Sequence, residues 1–359
     1  MGRDFFLLFA NFGKPLEKPG LSPEFHSKEG DENIDGTPCD AYNKSCCFYC
    51  RPTARQAVLP PAARGDLIGK GANQPMKPLI LQSDFGLADG AVSAMYGVAE
   101  GVCDSLRVYD LTHDIPQYDI WEASYRLIQT VQYWPEGSVF VSVVDPGVGS
   151  DRRSIVAKTS GGHYIVTPDN GTLTHIKRMS GIVEARVIDE TVNRLPNSGE
   201  SYTFHGRDIY AFTGARLASG AISWEQVGPA IDPASIVELP VVDAVLGGDV
   251  VSGTIDVLDV RFGSLWTNIP RALFASLNIE HGQRVEITIS NDTRVLYKNI
   301  MVYAKSFADV YVGEPLLYVN SLDNLAVAIN QGSFARAYNI GTGTSWRISV
   351  RKAPRMIYE

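Results

Sequence analysis

The spacing of apolar residues divides the chain into stretches of different texture. Over residues 1 to 76, Pro15, Pro19, Pro23, Pro38, Pro52, Pro60, Pro61 and Pro75 are interleaved with Gly and charge, and no period of 2 or 3.6 is sustained. A largely disordered extension is expected there. From Lys77 onward strands and helices alternate. Leu79 to Gln82 reads as a strand, Ser83 to Gly90 (SDFGLADG) as a Gly-punctuated loop, and Val92, Met95, Ala99 and Val102 recur at helical spacing. Leu106 to Leu111 reads as a second strand. Ile120, Ala123, Leu127, Ile128 and Val131 then mark the buried stripe of a helix that Pro135 and Gly137 terminate. Ser138 to Val144 is a near-continuous apolar run, which suits a strand buried on both faces of a parallel sheet. Ile155 to Lys158 and Tyr164 to Val166 flank Gly161 and Gly162 as a hairpin, followed by a PDNG turn at Pro168 to Gly171 and a short helix from about Leu173.

Helices alternating with strands predict an α/β domain over 77–235, with a mostly parallel sheet flanked by helices. Asp232 and Pro233 open a linker, and over 243–359 the texture turns to β. Val250 to Val260, Arg284 to Ile289 and Val295 to Tyr303 are rich in Val, Ile and Thr, with Gly247, Gly248, Gly263, Gly282, Asn291 and Asp292 between them. Short strands with turn signals predict a C-terminal all-β, barrel-like or sandwich domain.

Composition narrows the functional classes. The 359 residues are 45% hydrophobic and 20% charged with a net charge of −8, an ordinary globular balance that argues against a nucleic-acid partner needing clustered Lys and Arg. No window approaches the roughly 20 apolar residues that span a bilayer, so no membrane association is expected. Phe5 to Ala10 behind Arg3 resembles a short signal core without a small-x-small cleavage site, and a cytoplasmic location is expected. Cys39, Cys46, Cys47 and Cys50 fall in the extension. A structural zinc site wants four converging ligands, and no second Cys-x-x-Cys or His-x-x-x-His follows, so these read as thiols on a tail. Met76 directly precedes the first strand, and the functional protein could begin near it.

Candidate chemistry gathers in loops. Asp145 arrives where the apolar run ends, and Pro146, Gly147 and Gly149 break the ladder and permit positive φ. Asp145 is therefore expected to project from the carboxyl edge of the sheet, where open α/β sheets keep their ligands, with Arg152 folded back beside it. A structural loop with a surface ion pair would look the same. Asp84 and Asp89 flank Gly86 and suit recognition of a diol, though Asp89 could equally cap the next helix. In TFHGRD, His205 and Arg207 lie on a Gly-containing loop ahead of a helix from about Ile209. His205 there fits either an acid–base role or a structural one, and Asp208 could cap the helix. Leu258 to Asn268 gathers Asp259, Phe262, Trp266 and Asn268, whose aromatics suit a core as well as a purine-stacking surface. Scattered histidines and the lack of His-Glu-x-x-His argue against a metal site. The lack of GxGxxG after a strand argues against a dinucleotide fold, and DPGVG lacks the Lys-Ser/Thr of a P-loop.

Taken together, SDFG (Ser83–Gly86), THDIPQYD (Thr112–Asp119), DPGVGSDRR (Asp145–Arg153), PDNG (Pro168–Gly171), FHGRD (Phe204–Asp208) and FGSLWTN (Phe262–Asn268) are similar in order and spacing to one family. It is the S-adenosyl-L-methionine (SAM) hydrolases, also called SAM hydroxide adenosyltransferases, relatives of the fluorinase and chlorinase. The resemblance runs from about Lys77 to the C-terminus.

The resemblance implies an α/β domain joined to a β domain and a homotrimer whose active sites lie between the N-terminal domain of one subunit and the C-terminal domain of the next. It places the family's catalytic Asp, Arg and His on Asp145, Arg152 and His205. In the halogenases Tyr occupies the first position and the Arg and His are missing, so water rather than halide is the implied nucleophile. The implied reaction is hydrolysis of SAM to adenosine and L-methionine with no metal or redox cofactor. A SAM-dependent halogenase or a non-catalytic SAM or adenosine sensor are the alternatives. By the same carry-over Asp84 and Asp89 with Phe204 belong to the substrate site, Asp84 at the ribose hydroxyls and Tyr118 over the sugar. Asp259 and Ser321 would hold the methionine ammonium and carboxylate, and Phe262, Ser264 and Trp266 would complete that loop. Phe307, Asn330 and Gln331 would line the adenine pocket. Ser264 replaces the family's usual Asn and offers one donor fewer, and Leu322 stands where relatives often carry a polar residue.

Overall fold

Side chains alternate between two buried faces along the first strand, which is why its sequence is apolar without interruption. The computed structural model describes residues 76–199 and 202–354, so the expected extension and its four cysteines lie outside the described residues. Strand β1 (Leu79–Ser83) leads through α1 (Ala91–Val102) to β2 (Val108–Thr112) and through α2 (Ile120–Val131) to β3 (Val139–Val143). Leu79 and Leu81 pack with Met95 and Ala99 of α1, whereas Ile80 packs on the other face with Leu127, Ile128 and Val131 of α2. Two apolar faces need two covering layers, and the helices supply them.

The next strands are β4 (Ser154–Thr159), β5 (Tyr164–Pro168) and β6 (Ile182–Val187), with a π-helical turn at Ile176–Ser180 between the last two. A second π-turn (Gly206–Ala211) leads into α3 (Phe212–Ser219) and then β7 (Ala230–Ile231). The seven-stranded sheet has the order β2-β1-β3-β5-β4-β6-β7. Its β1–β2, β1–β3 and β3–β5 pairings are parallel, while β4–β5, β4–β6 and β6–β7 are antiparallel. The sheet is therefore mixed rather than mostly parallel. The cause is local: no helix separates β3, β4 and β5, and the Gly161-Gly162 turn joins β4 to β5 as a hairpin, which can only run antiparallel.

Barrel strands follow as β8 (Val245–Gly247), β9 (Val250–Leu258), β10 (Leu265–Pro270), then a one-turn α4 (Arg271–Phe274), β11 (Arg284–Ser290), β12 (Val295–Tyr303), β13 (Pro315–Val319) and β14 (Asn324–Ile329). A short α5 (Phe334–Tyr338) and the long β15 (Gly343–Lys352) complete the chain. The order β10-β14-β13-β12-β11-β15-β9 closes on itself through a β10–β9 pairing, with β8 appended outside. Inward residues such as Val251, Ile255, Leu265, Val285, Ile287, Leu317, Val327 and Ile348 fill it. Helix α2 joins the two halves: Trp121 Nε1 donates to Asp256 O at 2.8 Å and Arg126 to Leu258 O at 2.9 Å, while Tyr125 packs with Val257, Trp266 and Ala326. Among the described residues no helix is long and apolar enough to cross a membrane.

Candidate active site

Strands β1 and β3 lie side by side and parallel, and the chain leaves their carboxyl ends in different directions, so the two loops part and leave a crevice. A cleft of about 260 Å³ opens there, lined by Asp84, Phe85, Asp89, Gln117, Tyr118, Asp145, Phe204 and His205 among others, all from the N-terminal domain. Asp145 stands just past β3, as its place after the apolar run requires. Its loop folds through Val148 N to Asp145 O (3.2 Å) and Ser150 N to Gly147 O (3.1 Å). Of the loop glycines only Gly149 takes positive φ, at +80°, where a Cβ would also crowd Tyr202 O at 3.1 Å. Behind Asp145, Asn170 of the PDNG turn donates to Val144 O at 2.9 Å and fixes the peptide from which the carboxylate hangs.

Arg152 folds back as expected. Its Nε donates to Asp145 Oδ1 at 2.7 Å and its Nη2 to Asp145 Oδ2, a fork-to-fork pair with side chains only 10% and 4% exposed. This is a buried pair rather than the surface pair that a purely structural loop would carry at the edge. Arg152 Nη1 donates to Ser154 Oγ at 3.2 Å, which lies 3.2 Å from the buried Tyr210 hydroxyl, and the Tyr210 ring lies 5.7 Å beneath the guanidinium carbon. Burial opposes the charge on Arg152, yet its hydrogen bonds to Asp145 hold its pKa above the ordinary value.

His205 reaches this pair from a distant loop. It sits where the π-turn Gly206–Ala211 begins, and Gly206 beside it is packed so close that a Cβ would meet the Phe85 ring at 3.0 Å. Arg152 Nη2 lies 3.1 Å from His205 Nδ1. A guanidinium can only donate, so Nδ1 is the acceptor and the proton of the neutral ring resides on Nε2. That Nε2 is buried and has no hydrogen-bond partner among the described residues. Burial, then the Arg152 charge, lowers the His205 pKa, which keeps the ring neutral below its usual titration range. Asp145 and His205 thus line one corner of the cleft, with the Arg152 guanidinium bonded to both.

The remaining candidates divide by domain. Asp84 Oδ2 accepts from Tyr118 N at 2.9 Å, holding Tyr118 at φ +67° with its ring 68% exposed over the cleft. Asp89 Oδ1 accepts from Ala91 N at 2.8 Å in a tight turn just ahead of α1, whose N-cap is Gly90 with no side-chain cap, and Asp89 also lines the cleft. Phe204 meets Phe85 edge-on at 5.7 Å and lies under the Arg207 guanidinium, whose Nε is 2.6 Å from the buried Asp208 carboxylate. None of the C-terminal candidates lines this cleft. Asp259 accepts from Arg261 N and Phe262 N in its own loop, which Asp259 N closes on Ser264 O. Phe262 is 71% exposed, whereas Trp266 is core, wedged against Tyr125. Phe307 packs on Tyr318, Asn330 donates to Phe307 O and Val310 O, Gln331 takes φ +56°, and Ser321 is exposed in the β13–β14 turn. Leu322 packs against the Tyr125–Trp266 cluster. Ser83, His113 and Asn170 lie within the quoted motifs without an assigned role, and Asp110, Ser154 and Tyr210 lie outside them, because nothing in their spacing announces a partner before the strand order is known.

The fold and cleft define a class: an α/β domain with an acid–guanidinium–imidazole cluster at its carboxyl edge, followed by a closed barrel. Family models described as the SAM hydroxide adenosyltransferase N-terminal and C-terminal domains match residues 79–228 and 253–347. The chain belongs to this family. It is 37% identical over 269 residues to the (R)-S-adenosyl-L-methionine hydrolase of Salinispora arenicola, covering 75% of this chain and 96% of that one. It is 33% identical to the protein of the same name from Thermus thermophilus, covering 76% of this chain and 100% of that one. It is 27% identical to the fluorinase of Actinopolyspora mzabensis, covering 76% and 97%. A solved structure of an uncharacterized conserved protein from Thermotoga maritima superimposes with a TM-score of 0.69 at 31% identity, covering 76% of this chain and all of that one.

Proposed function

We propose that this protein hydrolyses SAM to adenosine and L-methionine by in-line attack of water on the ribose 5′ carbon. The observation that carries this reading is the contact of Arg152 with both Asp145 and His205, with a free imidazole N–H beside them. The sulfonium of SAM is already a good leaving group, so methionine departs without an acid and only the nucleophile needs help. Asp145 accepts a hydrogen bond from the water and takes its proton as the C–O bond forms and the C–S bond breaks. His205 Nε2–H donates to the water oxygen, and the Arg152 charge stabilises the hydroxide character that develops. An anionic nucleophile meeting a cation destroys charge, so exclusion of bulk water accelerates the step.

Asp84 takes the ribose hydroxyls in this reading and Tyr118 covers the sugar. The methionine and adenine contacts from Asp259, Ser321, Phe262, Phe307, Asn330 and Gln331 would come from a neighbouring subunit of a homotrimer. Two observations support that arrangement: the cleft is lined by the N-terminal domain alone, and Phe262, Tyr311 and Val312 of the barrel are 71%, 83% and 65% exposed. Incubation of the purified protein with SAM in halide-free buffer is expected to yield adenosine and methionine in equal amounts. A 5′-halo-5′-deoxyadenosine in chloride or fluoride buffer would make it a halogenase, and binding without methionine release would make it a sensor.

A further inference from the structure

A hydrogen-bond chain, buried at its Ser83–His113 end and exposed at Asp110, lies behind the cleft and takes no part in the chemistry just described. Ser83, the last residue of β1, is fully buried, and its Oγ lies 2.7 Å from His113 Nδ1. His113, 4% exposed, directly follows β2, and its Nε2 lies 3.0 Å from Asp110 Oδ1. Asp110 also accepts from Tyr96 OH of α1 at 2.5 Å. The proton order follows from these contacts. Asp110 accepts from Nε2–H, and in the neutral ring Nδ1 is then the acceptor to which Ser83 donates, while Ser83 Oγ also receives the Phe85 N–H at 3.3 Å. The backbone joins the same loops, since Gly86 N donates to His113 O at 2.8 Å.

What this chain ties together is the cleft wall. Residues 84–86 begin one residue after Ser83, and the segment 114–118 begins one residue after His113. The two segments meet again where Asp84 accepts the Tyr118 N–H, with Tyr118 at a positive φ that is unfavourable for a non-glycine residue. Such a conformation persists only where its surroundings fix it.

We infer that His113 is a positioning residue: by bridging Ser83 and Asp110 it locks the ends of β1 and β2 together and so fixes the Asp84–Tyr118 pair that receives the sugar. This rests on the proposed substrate site but makes its own demand on the loops. The bond to Ser83 is the member that matters, because it alone reaches the residue next to Asp84.

Asparagine can place a polar atom where Nδ1 lies and glutamine one where Nε2 lies, which separates the two halves of the bridge. His113→Ala and His113→Gln are expected to raise KM for SAM roughly tenfold, the loss typical of a buried hydrogen bond, with kcat little changed, while His113→Asn stays near the parent. Amide hydrogen exchange at Gly86 and Tyr118 is expected to follow the same order, with protection lost in His113→Ala and His113→Gln and kept in His113→Asn. Unchanged protection at both amides in all three variants would overturn the inference whatever the kinetics, as would a fall in kcat at constant KM. If the parent protein releases no adenosine yet the exchange order holds, the hydrolytic reading fails and the positioning role stands.

Discussion

Arg152 is the residue on which the site turns, because it hydrogen-bonds to both the carboxylate and the imidazole. Arg152→Ala is expected to keep measurable SAM affinity and to lose turnover by roughly 10²- to 10³-fold, the range for removing a preorganised charge-stabilising group. Arg152→Lys is expected to rescue little, since an ammonium cannot bridge Asp145 in the fork geometry while donating to His205. Kinetics of the two variants check both points, and unchanged turnover would remove Arg152 from the mechanism. The pH profile gives an independent check. Burial and the Arg152 charge lower the His205 pKa, and the neutral ring is the active form, so activity is kept as pH falls through about 6.5 and lost only below it. An acid limb of kcat at or above that pH would contradict the assigned tautomer. Asp145 and Arg152 were legible at this scale because strand end, glycine turn and cation lie within one short stretch. The contact between Arg152 and His205 spans 53 residues of sequence, and no local pattern encodes it.

Among the elements, α2 carries two duties. Its N-cap, where Asp119 accepts the Glu122 N–H at 2.9 Å, follows Tyr118 at the cleft, and its middle turns dock the barrel strand β9. In β9 the Asp256 carboxyl is 6% exposed with Thr254 Oγ1 at 3.0 Å, and burial pushes its pKa up to about 7. A carboxyl whose folded pKa is raised stabilises the protonated native state, so stability is lost as pH rises from about 4 through 7, by at most about 4 kcal/mol. Asp256→Asn is therefore expected to raise Tm by several degrees at pH 8 and to change it little at pH 4. Thermal unfolding at the two values checks this, and equal shifts at both would refute a buried charge. Most of these elements were legible, since α2 and β12 follow directly from their apolar periods. The mixed sheet was not, because alternating texture specifies strands and helices, whereas the direction of β4 depends on the missing crossover helix between it and its neighbours. Trp266 was equally ambiguous: an aromatic in a polar loop reads as core or as ligand surface until Tyr125 is seen packed against it.

For the whole molecule, one chain presents half of what the substrate reading needs. The α/β domain supplies the cluster and an open cleft that Asp84 lines, while the barrel holds its exposed aromatic side chains elsewhere. Light scattering on the purified protein is expected to give three times the 39.2 kDa chain mass, and a monomer that turns over SAM would refute the shared site. The order of six motifs made the family legible, but no sequence pattern tells which residues face a cleft of the same chain and which face a neighbour's. In the proposed reaction water, held by Asp145, Arg152 and His205, becomes the 5′ hydroxyl of the product. Turnover of SAM in ¹⁸O-enriched water tests it most directly by mass spectrometry of both products. Adenosine carrying one heavy oxygen and methionine carrying none are expected; unlabelled adenosine, or label in methionine alone, would rule water out as the nucleophile.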